Sequence, residues 1–157
     1  MAHLYLALKL FHILGSTVLF GTGMGIAFFM FMAHRTKQPA VIAQTARTVV
    51  IADAVFTATA VVLQPLTGWG LMAMTGVAIT AFWIRATLVL YIFVGLCWLP
   101  VVWIQLKMRD LAAEAARKGK ALPQRYHSYF KVWFWLGWPA FGGVIAIFVL
   151  MLWKPQW

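Results

Sequence analysis

The chain has 157 residues, of which 64% are hydrophobic and only 10% charged. That balance excludes a soluble globular protein, in which about a quarter of residues carry charge, because a core of this length could not hide so much apolar surface from water. The net charge of +10 would suggest nucleic acid in a soluble protein, but the cations collect in two connecting segments. They read as membrane topology, and no nucleic-acid partner is expected.

The first apolar stretch runs from Leu4 to Ala33. It lacks a basic leader and an Ala-x-Ala exit, so it is expected to be retained as a membrane span. Gly15, Ser16, Gly21, Gly23 and Gly25 make it smooth, with a Gly-x-x-x-Gly step from Gly21 to Gly25. Small residues let helices approach closely where no hydrophobic drive exists between them. The Gly15–Gly25 face serves either the bundle interior or a homodimer or larger membrane complex.

A basic connection, His34–Arg47, leads to the second stretch, Thr48–Met72, which carries Asp53 near its start and the pair Gln64-Pro65. An uncharged turn near Ala73–Thr80 leads to the third, Ala81–Ile104. This helix is expected to extend through Leu106–Ala116, stop at Gly119 and meet Pro123. The connection Lys107–Lys131 is again basic, and the fourth stretch is Phe130–Trp153, where Gly142 and Gly143 offer a second smooth surface. Each stretch meets the requirement of about 20 residues for roughly 30 Å of hydrocarbon, and helices satisfy their own backbone there.

The expected fold is an all-α, integral membrane four-helix antiparallel bundle, a single transmembrane domain over residues 1–157. The positive-inside rule puts both basic connections in the cytoplasm and both termini in the periplasm, in a bacterial inner membrane. Tyr5, Trp69 and Trp83 at one interface and Trp133 and Trp135 at the other are expected anchors. Cys97, the one cysteine, allows no intramolecular disulfide and reads as a packing residue.

Ionisable groups at membrane depth mark function by default, and here they are Lys9, His12, Asp53 and Arg85, with Gln64 as a neutral companion. His12 lies roughly 12 Å below the outer end of the first helix and shares a face with Gly15, Ser16, Leu19 and Gly23. Gln64 has similar depth, and Pro65 frees a backbone carbonyl one turn earlier. One imidazole, one amide and two cations suit a haem b whose iron meets His12 and whose propionates meet Lys9 and Arg85. No internal bis-histidine pair is visible, since His34, His127 and His3 lie elsewhere, so the second axial position falls to a methionine such as Met72 or Met151, to a partner, or to none. The alternative is that His12 hydrogen-bonds across helices, for example to Gln64, while Lys9 and Arg85 snorkel. Asp53 is expected to pair with Arg47, Lys131 or His127, with a proton-relay role as the alternative. No nucleotide loop, zinc spacing or nucleophile–base motif occurs.

The segments Leu8-Lys9-Leu10-Phe11-His12-Ile13-Leu14-Gly15, Leu19-Phe20-Gly21-Thr22-Gly23-Met24-Gly25, Gln64-Pro65-Leu66-Thr67-Gly68 and Leu136-Gly137-Trp138-Pro139 resemble a family of bacterial integral membrane proteins, domain of unknown function 2269. That label supplies no activity. More distantly, the Lys-x-x-His opening is similar to copper-resistance D proteins and to HemJ-type haem-binding oxidases, which implies that His12 ligates haem. The resulting expectation is a small haem-binding membrane protein for electron transfer, with a quinone or partner subunit as its exchange partner. Any reaction would be that of a haem-dependent membrane oxidoreductase. Two other functions stay open: a metal-ion transport component, and an accessory or assembly subunit.

Overall fold

A computed structural model describes residues 2–155. Five α-helices, α1 (Ala2–Arg35), α2 (Pro39–Ala52), α3 (Ala58–Thr75), α4 (Phe82–Arg117) and α5 (Gln124–Trp153), form four crossings, because the π-helical turn Asp53–Thr57 joins α2 to α3 without a break. All four are long and apolar enough to span a bilayer, and the described residues contain no strand.

The helices outrun the apolar stretches at the basic end, the end that carries the connections 36–38 and 118–123. The first connection shrinks to three residues, since Pro39 starts α2 in the first-turn position where its missing N–H is not needed. Arg47 therefore belongs to a helix. The extension of α4 ends at Arg117 as the sequence indicates, with Gly119 at φ +60° and Pro123 capping α5. The ion pair Lys118–Glu114, at 2.6 Å and one turn apart, and Arg109–Asp110, at 2.8 Å, dress this extension.

Packing is uneven along the bundle. The main buried cluster lies wholly in the basic half, where all four crossings meet through Met30, Ile42, Ala46, Met108, Ala112 and Tyr126. His34 stacks on Phe130 there at 3.6 Å, and its Nδ1 lies 3.3 Å from the Tyr126 hydroxyl. Trp133 belongs to this cluster, packed 5.6 Å from Phe130. It is therefore a core residue and no interface anchor; Trp83 is likewise buried, with Lys154 lying 5.6 Å over its ring. Trp69 and Trp135 are exposed on the bundle surface.

Towards the opposite end the crossings associate in pairs. α5 lies along α4, while the second crossing changes partner: α2 packs on α4 and α3 packs on α1. The π-turn sits where the exchange occurs. Inserting one residue into the helical repeat rotates everything after it relative to what comes before, which turns the face of α3 towards α1. Contacts between α1 and α5 are made by long aromatic side chains, such as Phe20 and Phe141 with centroids 4.7 Å apart.

Candidate functional site

At the opposite end α1 and α3 touch closely enough to need glycine. A Cβ on Gly15 would lie 2.5 Å from the Gln64 amide nitrogen, one on Gly68 would meet the His12 ring at 3.4 Å, and one on Gly70 would meet Leu8 at 3.1 Å. The close approach lets polar groups pair across the helices. Gln64 Nε2 donates to the His12 carbonyl at 2.9 Å, and the His12 ring nitrogen Nδ1 lies 2.8 Å from Thr67 Oγ1.

The direction of that last bond follows from Thr67. Its hydroxyl carries one hydrogen, and Leu63 O accepts it at 2.7 Å, with Gln64 O at 3.2 Å as a second acceptor on the same turn. Its oxygen is then left to accept, so the imidazole donates and the proton sits on Nδ1. Nε2 then keeps its lone pair, since the hydrogen bond of the ring is made through Nδ1. A half-buried imidazole held by one nitrogen, with the other free, is the arrangement found in metal-ligating histidines.

The other expected members gather less tightly. Lys9 is exposed and lies 5.8 Å from the Tyr5 ring one turn earlier, not against His12. Arg85 is exposed at the start of α4, and its side chain makes no hydrogen bond or ion pair among the described residues. Met72 on α3 and Met151 on α5 are partly buried at this end, whereas His34 and His127 lie at the basic end with their rings 5.8 Å apart.

Asp53 departs from its expected place. It follows the 14 residues of α2 and so lies about 21 Å along the helix from the basic end. It is 4% exposed, and the Trp98 indole donates to its Oδ1 at 3.2 Å. Arg47 is exposed and forms no ion pair with it; the ion pairs among the described residues are the two on α4. The pairing with Arg47, Lys131 or His127 fails because α2 begins nine residues before the apolar stretch at Thr48, which carries Asp53 deep into the bundle.

Sequence reasoning also missed three partners. Thr67 follows Gln64 by three residues and so shares its face, a spacing that could have exposed it. Tyr91 on α4 donates its hydroxyl to Val61 O, the carbonyl four residues before Pro65. Trp98 had no signal beyond its place in an apolar run.

No curated protein and no solved structure matches the chain. The model of one family, described as predicted integral membrane protein (DUF2269), matches residues 6–155. That match spans all four crossings and the whole polar site, and the chain belongs to this family of integral membrane proteins.

Proposed function

We infer that this protein binds haem b in the bacterial inner membrane and passes single electrons, with His12 as its imidazole ligand to iron. The observation that carries the reading is the His12 ring held by Thr67, with the proton on Nδ1 and the lone pair on Nε2. Such a bond fixes ring orientation and raises ligand basicity. His12 would hold such a group through its free imidazole nitrogen, so the donor chemistry present fits it. No group of three or more His, Cys, Asp or Glu side chains converges among the described residues.

Lys9 and Arg85, exposed at the same end, are the cations that would meet the propionates. Met72 and Met151 are the thioethers at that end. Gln64 holds the α1 backbone at His12, so the imidazole starts from a fixed helix. Bound haem would supply one-electron chemistry, exchanged with a quinone or a partner subunit. The basic connections orient the bundle with that end in the periplasm and the basic end in the cytoplasm.

The test is a reduced-minus-oxidised spectrum of protein purified from cells supplied with haem precursor. Soret and alpha bands, lost in His12→Ala, are the expected result. Their absence from the unaltered protein ends this reading.

A second reading, an accessory subunit, draws on one observation: a Cβ on Gly21 or Gly23 would meet nothing within 4 Å. That part of the glycine face is unpartnered within the chain and suits a neighbouring helix. Purification in mild detergent distinguishes the two: a coloured monomer supports the haem reading alone, a colourless protein held in a larger complex supports the accessory reading alone, and a lone colourless monomer contradicts both.

A further inference from the structure

The Asp53 carboxyl is buried at the π-turn of the second crossing with a neutral donor on one oxygen and no hydrogen-bond partner on the other. Oδ1 accepts from the Trp98 indole at 3.2 Å, while Oδ2 and the Thr57 hydroxyl oxygen are both buried without a hydrogen-bond partner among the described residues. Both side chains belong to the π-turn; Ala58 N–H donates to Asp53 O, the five-residue step that defines it.

The surroundings offer no counter-charge. α1 packs against the turn and has no Lys, Arg, Asp or Glu between Lys9 and Arg35; its histidines, His12 and His34, lie far to either side. α4 has none between Arg85 and Lys107, and its titratable groups there are Tyr91, committed to Val61 O, and the buried Cys97. α5 has none between Lys131 and Lys154. On the second crossing itself Arg47 is exposed, six residues towards the basic end, and residues 54–75 carry no charge. An anion stripped of water with only neutral groups around it is strongly disfavoured.

We propose that Asp53, Thr57 and the Trp98 indole form a proton-binding site buried inside the bundle at the π-turn. A proton on Oδ2 removes the charge and converts that oxygen into a donor on the turn that also holds the unpartnered Thr57 oxygen. Trp98 continues to serve Oδ1. Proton binding thereby stabilises the π-turn, and release leaves an anion that the turn does not accommodate. The site is independent of haem binding and stands or falls apart from it.

Infrared spectroscopy of the protein in ether-linked lipids, which lack ester carbonyls, reads the proton directly. Only three acidic side chains exist, Asp53, Asp110 and Glu114, and the last two are exposed on α4. In D110N/E114Q, Asp53 is the remaining acidic side chain, and the expected result at neutral pH is the carbonyl band of a protonated carboxylic acid, shifted in deuterated water. Trp98→Phe should move that band to higher frequency, and adding Asp53→Asn should abolish it. An ionised carboxylate alone at neutral pH overturns the proposal. So does a protonated band that Trp98→Phe leaves unmoved, a comparison that holds even if Asp53→Asn does not fold.

Discussion

The Tyr91 hydroxyl on α4 donates to the carbonyl of Val61 on α3, the acceptor that Pro65 leaves without its helical partner. Proline has no N–H to give the residue four places earlier, and lipid offers no water to take its place. A tyrosine from another crossing closes the gap, and in doing so ties α3 to α4 beyond the point where the second crossing has moved over to α1.

Tyr91→Phe should therefore destabilise the protein by about 0.5–2 kcal/mol, since it removes an interhelical hydrogen bond and leaves the Val61 carbonyl without a donor. Unfolding in mixed micelles measures it. In the Pro65→Ala background the helix regains its own donor for Val61 O, so the same substitution should lose most of its effect. An equal loss in both backgrounds contradicts this account.

Thr67→Val removes the acceptor for His12 Nδ1 while keeping the side-chain shape. Loss of such a supporting bond typically weakens metal affinity 10- to 100-fold, and haem titration of the purified variant should show a weakening of that order. Thr67→Ser keeps the hydroxyl and should retain near-normal affinity. Equal behaviour of the two variants would show that the hydroxyl is irrelevant.

The glycines should separate by what faces them. A Cβ on Gly143 meets Val94 Cγ2 at 2.6 Å, and valine cannot swing its methyl aside at little cost. Gly143→Ala should lower stability by about 1–3 kcal/mol, whereas a Cβ on Gly142 meets nothing within 4 Å and Gly142→Ala should be near neutral. Paired thermal unfolding curves in one detergent decide it; a neutral Gly143→Ala contradicts the close α4–α5 contact.

Orientation can be read with single cysteines. In a Cys97→Ser background, Lys120→Cys should react with an impermeant maleimide only after the cytoplasmic face is opened, while Ile79→Cys should react in intact cells. The reverse pattern would invert the topology and move His12 to the cytoplasmic half.

Apolar run length sufficed to find the four crossings, and the high cost of polar groups in lipid sufficed to single out His12 and Gln64. Both the imidazole and the amide take part in the α1–α3 contact. What pairs with the imidazole was not legible, because a threonine in a membrane helix can satisfy itself on its own backbone, as Thr59 does on Val55 O. Only the register of α3 against α1 brings Thr67 under the ring. Asp53 was misplaced for a different reason. The chain remains helical through polar residues from Pro39 to Thr48, so hydropathy marks where lipid begins and says nothing of where the helix does.

One residue of surplus length at Asp53–Thr57 governs a contact ten residues further on. Forcing that stretch into an ordinary α-repeat with every residue kept would swing the segment from Ala58 onward by about 100°. Thr67 and Gln64 would then face away from His12, although neither they nor the histidine had been altered. The imidazole's hold thus depends on backbone phase set in the membrane interior, and straightening the π-turn at constant chain length should disable it as completely as removing the threonine.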